Sequence, residues 1–255
     1  MNKRLISAVL GAGALAVSAL TAGAQSADAA STHLTHLTGL HAKRVCTATP
    51  ATGHANCLSK VMVNKKGAIP YAATPLSTAL SPTQLKSAYG LSGASSAGRT
   101  VAIVDAYGYP NLERDLTTYR SFYGMPACTT GNGCLKTLIQ TGGTTPPSAD
   151  LGWPQEQALD VDAVSAACPD CKILVVQASS ASFVDLGAAV NTAAKQGGVV
   201  AISNSYGGGD APDSTYGQYY NHAGIAVTGR PATAATRAAP TRPPLPTSPP
   251  SVARP

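Results

Sequence analysis

The sequence predicts an α/β fold, a mostly parallel sheet with helices on both faces, and three observations predict it. Residues 99–105 (RTVAIVD) and 172–177 (KILVVQ) are short β-branched runs without polar alternation, which is how strands buried on both faces read. Segments with helical spacing alternate with such runs, and strand-helix alternation implies right-handed crossovers that cover both sides of a parallel sheet. The third observation is composition: 255 residues, 44% hydrophobic and only 12% charged, suit one core and exclude a highly charged disordered regulator. The one long apolar stretch lies at the N-terminus, which excludes a multi-pass membrane protein.

In order along the chain, residues 1–30 read as an export signal. Lys3 and Arg4 form a positive start, Leu5 to Leu20 an apolar run, and cleavage is expected after Ala24, Ala29 or Ala30. Residues 31–80 form a short leader or pro-segment, extended in character and bearing His33, His36 and His41. Those histidines have no carboxylate partners or rigid scaffold that would make them a metal site. The first strand is 99–105, and a helix over 110–123 follows with Leu112, Leu116, Tyr119 and Tyr123 in register. Residues 135–140 form a strand, 154–167 a helix with Pro154 in its first turn, and 172–177 a strand. Residues 182–195 form a helix, and 199–203 and 224–228 (GIAVT) two more strands. Residues 229–255 are almost wholly Pro, Ala, Thr, Arg and Ser, a composition that buries no core and predicts a disordered tail.

Charge and cysteines narrow the function classes. The net charge of +6 is carried by Lys3, Arg4, Arg230, Arg237, Arg242 and Arg254, all near the termini, so the body is close to neutral and offers no basic stripe for nucleic acid. The six cysteines come as close pairs, Cys46 with Cys57, Cys128 with Cys134 and Cys168 with Cys171, as expected of local disulfides in an exported chain. The Cys168-Pro-Asp-Cys171 spacing also fits a redox motif, but such a motif opens a helix and here the helix precedes it.

Three features could carry chemistry. Glu156 and Asp160 stand four apart on a predicted helix and so share a face, with Asp162 just beyond. They are either a solvated acidic face or a carboxyl pair sharing a proton, one member of which serves as a general base at acidic pH. Residues 203–210 (SNSYGGGD) follow a buried strand without the spacing of a dinucleotide loop. They are either a plain Gly-rich loop or a strand end to which an extended peptide adds by main-chain hydrogen bonds. Asp105 ends the first strand, but no His-Gly-Thr-His segment follows and His222 is the only histidine after residue 54, so a Ser-His-Asp mechanism has no support.

Taken together, residues 85–91 (LKSAYGL), 100–105, 156–162, 168–176 and 203–207 resemble the sedolisin family of secreted serine-carboxyl peptidases, over residues 80–228. The resemblance implies a subtilisin-like fold and a Ser-Glu-Asp triad with an oxyanion-hole Asp. Glu156 would be the general base, Asp160 the carboxyl that orients it, and Ser203, Asn204, Ser205, Tyr206 and Gly207 the lining of the substrate cleft. It implies a partial peptidase domain (81–228) acting on peptide or protein substrates outside the cell as a monomer, without nucleic acid or, once the signal is removed, membrane. The family's Gly-Thr-Ser nucleophile, Ser-Gly-Asp oxyanion segment and C-terminal calcium site have no counterpart, so the chain is expected to be C-terminally incomplete, inactive and without a cofactor. Alternatively, it is an exported, non-catalytic protein keeping the peptide-binding half of the fold. Residues 230–237 can be back-translated so that a shifted frame reads Ser-Gly-Asp-Ser-Gly-Tyr-Ala. That predicts a small insertion or deletion near codon 229, as a pseudogene lesion or a sequencing error.

Overall fold

The computed structural model describes residues 39–46, 49–69, 75, 79–96, 98–209 and 211–229. The expected export signal, the tail from Arg230 onward, His33, His36 and Asp210 lie outside the described residues. Five parallel strands form the main sheet: β4 (Thr100–Ala106), β5 (Leu135–Ile139), β6 (Lys172–Ala178), β7 (Val199–Asn204) and β9 (Ala226–Gly229), ordered β5-β6-β4-β7-β9. The expected α/β class is the one observed, with strand ends within two residues of those predicted.

The period of two along each strand sorts its side chains between two layers. Ala102 and Val104 of β4, with Leu174 and Val176 of β6, pack against helix α4 (Phe183–Ala194) through Leu186, Ala189, Val190 and Ala193. Ile103, Ile173 and Val175 face the other way, onto α2 (Leu112–Phe122) and α3 (Trp153–Ala167) through Leu112, Leu116 and Val161. On this second face the strands turn polar at their carboxyl ends, where Asp105 and Gln177 occupy the next inward positions and are both buried. Arg120 locks the layer below. Its guanidinium donates to the Pro126 and Pro169 carbonyls and to Ser165 Oγ, so a buried cation has a partner for each nitrogen.

The leader is more ordered than its composition predicts. β1 (Leu40–Arg44) and β3 (Lys60–Asn64) pair antiparallel, and β2 (Ala55–Cys57) pairs antiparallel with β8 (Tyr206–Gly208), a short strand beyond β7. Exposed His41 lies in β1. The sequence reading also passed over α1 (Pro82–Ala88), capped by Ser81 and Gln84, and α5 (Asp213–Tyr216), which runs into a 3-10 turn at Gly217–Tyr220. All three cysteine pairs are disulfides, with Cα separations of 5.5, 4.8 and 5.4 Å for Cys46–Cys57, Cys128–Cys134 and Cys168–Cys171. Among the described residues no helix is long and apolar enough to cross a membrane.

Candidate active site

In an open parallel sheet, ligands bind at the carboxyl ends of adjacent strands whose connections leave in opposite directions. Here those strands are β4 and β7. From β4 the chain runs out to β5 at one edge, and from β7 it runs to β9 at the other. The turn after β4 carries Tyr107 at φ 64°, the left-handed region that a bulky residue adopts only when its surroundings fix it. Gln157 of α3 supplies part of that fixing, donating to the Ala106 and Tyr107 carbonyls at 3.2 and 3.1 Å, while Gln177 donates to Gln157 Oε1 at 2.9 Å. This buried amide chain sets α3 across the ends of β4 and β6.

That placement turns Glu156 and Asp160 inward. They are 2% and 7% exposed, whereas Leu159 between them is 52% exposed, so the helix buries its carboxyls and leaves an apolar side chain in water. A solvated acidic face is thereby ruled out. The single ion pair among the described residues, Arg114 with Asp115, lies elsewhere, so no cation offsets the burial. Burial, and then the charge of Glu156, push Asp160 up to about 7 against a lowering hydrogen bond from the Ser205 hydroxyl. No hydrogen bond joins Glu156 to Asp160 among the described residues, and Asp160 Oδ2 has no partner.

Asp105 is the third acid. It is fully buried, neither oxygen has a partner, and burial, then Asp160, then Glu156 hold its carboxyl well above the usual range. The sequence reading weighed Asp105 only as a partner for a histidine and missed this cluster. The strand period puts Asp105 on the same face as Ile103, but only the structure shows that α3 covers that face.

The expected cleft-lining residues divide. Ser203 and Ser205 line a cleft of about 680 Å³ with Glu156, Asp160, Leu58 and Ser59. Asn204 also borders it, but its amide donates to the Thr228 carbonyl at 2.8 Å and ties β7 to β9. Tyr206 is buried and donates from its hydroxyl to Asn204 Oδ1 at 2.9 Å. Gly207 belongs to β8 and pairs with Asn56. The leader reaches the acids themselves. Main-chain N–H groups of Leu58 and Ser59 donate to Glu156 Oε2 at 2.7 and 2.6 Å, a contact that nothing in the spacing of these segments announces. Cys168, Asp170 and Cys171 are the one close group of metal-ligating residue types among the described residues, and the disulfide takes both sulfurs.

No family model matches the sequence, and no curated protein matches it. Among solved structures, the chain is similar to Pseudomonas sedolisin, a serine-carboxyl proteinase complexed with two molecules of pseudo-iodotyrostatin, at 24% identity with a TM-score of 0.40. The match covers 48% of this chain, which spans 33% of that one.

Proposed function

We propose that this chain carries the acid half of a secreted serine-carboxyl endopeptidase site. Glu156 is its general base, Asp160 the carboxyl that orients it, and residues 203–207 border the bound peptide. The observation that carries this reading is a carboxyl pair buried without a cation at the crevice between β4 and β7. Burying such groups costs stability, and a site that must hold and exchange a proton offsets that cost with function. Asp160, raised to about 7, keeps its proton at acidic pH, as one member of a proton-sharing carboxyl pair must. Three disulfides support an oxidising, extracellular setting. Residues 1–255 contain neither Gly-Thr-Ser nor Ser-Gly-Asp, so in this reading the nucleophile and oxyanion donor come from a segment read in the shifted frame after residue 228.

The test is hydrolysis of casein by a chain continued in that frame. Activity is expected at acidic pH, and Glu156→Gln is expected to lower kcat by about 10²-fold or more while peptide binding persists. Residues 1–255 alone are expected to show no hydrolysis at any pH. A neutral optimum or an unimpaired Glu156→Gln enzyme refutes the assignment. Peptide binding with no hydrolysis in the continued chain would favour the non-catalytic alternative.

A further inference from the structure

We propose that Asp105 stays protonated in the folded chain and donates to Gln177, heading a buried strap that seats α3; its use to the reaction rests on Glu156 being the base. Among the described residues, the buried side-chain atoms without a partner are Asp105 Oδ1 and Oδ2, Asp160 Oδ2 and Gln177 Oε1. All four are acceptors while the acids are ionised, so what the site lacks is donors, and an acid supplies one by taking up a proton. β4 and β6 pair with Asp105 beside Gln177, and strand alternation turns both toward α3, where both are buried. An O–H on Asp105 is thus the donor that the register sets beside the Gln177 oxygen.

Beyond Gln177 the strap is already bonded. Gln177 Nε2 donates to Gln157 Oε1 at 2.9 Å, and Gln157 Nε2 to the Ala106 and Tyr107 carbonyls at 3.2 and 3.1 Å. With the proton in place, the strap leaves β4 at Asp105, crosses β6 and α3, and returns to β4 at the next residue, each amide oxygen accepting and each amide nitrogen donating. An ionised Asp105 would instead set an anion against a carbonyl oxygen. The groups that face it give no relief, being Glu156 and Asp160 from α3 and the Tyr206 phenol from β8, and no ion pair reaches them among the described residues. Gln157 follows Glu156 directly in α3, so the strap fixes the turn that carries the base. Asp105 is a positioning residue, acting on Glu156 through two amides and not by sharing its proton.

Infrared spectra of the full chain test the proton. At about pH 8, where Asp160 and Asp162 have lost most of theirs, the chain is expected to keep a protonated-carboxyl C=O band, which Asp105→Asn abolishes. Gln177→Leu is expected to keep the band and move it to higher frequency, because the O–H loses its acceptor. Hydrogen exchange at about pH 5 tests the strap. The amides of residues 153–160 are expected to exchange at least about tenfold faster in Gln177→Leu and in Asp105→Leu, with β4, β6 and β7 keeping their protection. Asp105→Asn restores a donor without an acid, and its exchange is expected to stay within about twofold of the unaltered chain. In a continued chain, Gln177→Leu is expected to lower kcat about tenfold with KM within about twofold. The band needs only the unaltered chain and Asp105→Asn, so it decides even where a Leu variant does not fold. No band at about pH 8, a band that survives Asp105→Asn, an unmoved band in Gln177→Leu, or exchange in Asp105→Asn as fast as in Asp105→Leu overturns the strap and leaves the base standing. Full activity in a continued Glu156→Gln chain removes the base and leaves the strap.

Discussion

A carboxyl group sealed from water without a partner takes up a proton before it does anything else, and Asp105 is in that position. Its folded-state pKa is raised, so its contribution to stability is full below the unfolded value near 3.9 and falls as the pH rises above it. Asn has nearly the same shape and no charge to suppress. Asp105→Asn is therefore expected to raise Tm at pH 7 to 8, on the order of 5 °C, and to leave it nearly unchanged at pH 4, as thermal unfolding followed by circular dichroism would read. The pair that α3 presents was legible in the sequence, because residues four apart on a helix must share a face. The membership of Asp105 was not, since it depends on which face of β4 the helix covers, and the register of a buried strand with apolar residues on both sides does not say.

At the scale of elements, strands and helices of the main sheet could be read because each carries its own signal. Residues 173–176 (ILVV) are an unbroken apolar run, and 182–195 repeat apolar residues at helical spacing. β2 has none. Ala55-Asn56-Cys57 is three residues long, and its partner β8 lies about 150 residues away, so only tertiary structure makes it a strand. The seat of the disulfide at Gly152 tests how far the leader depends on the body. Gly152→Ala forces Cys46 Sγ to move, at a cost of about 1–3 kcal/mol. Hydrogen exchange is expected to quicken over residues 45–59 while β4, β6 and β7 keep their protection. Uniform loss across the sheet would contradict so local a contact.

For the molecule as a whole, the acids set a pH at which it is most stable. Asp160 is raised to about 7 by burial and then Glu156, and Asp162 to about 7 by burial and then Asp115. Both must gain protons on folding, so the stability they lend is full below about pH 4 and is lost as the pH rises through about 7. Asp170 is lowered by the Ser96 N–H and Ser95 hydroxyl; for Asp185, the bonds from Ser180, Gln140 and Ser182 outweigh the upward push of burial. Their contributions are present above about pH 4 and fade below it. Tm is thus expected to peak between about pH 4 and 6 and to fall toward pH 8, and Asp162→Asn should flatten that fall. Calorimetry across this range checks it, and a maximum at pH 8 would contradict the raised values. The three disulfides have a consequence in time. Their sequence separations are 11, 6 and 3 residues, and six cysteines allow about fifteen pairings. As the chain emerges from its N-terminal end, each sulfur meets its partner before the next pair exists. In a chain exported N-terminus first into an oxidising compartment, the right pairing is therefore expected from order of appearance alone, before β7 and β9 join the sheet.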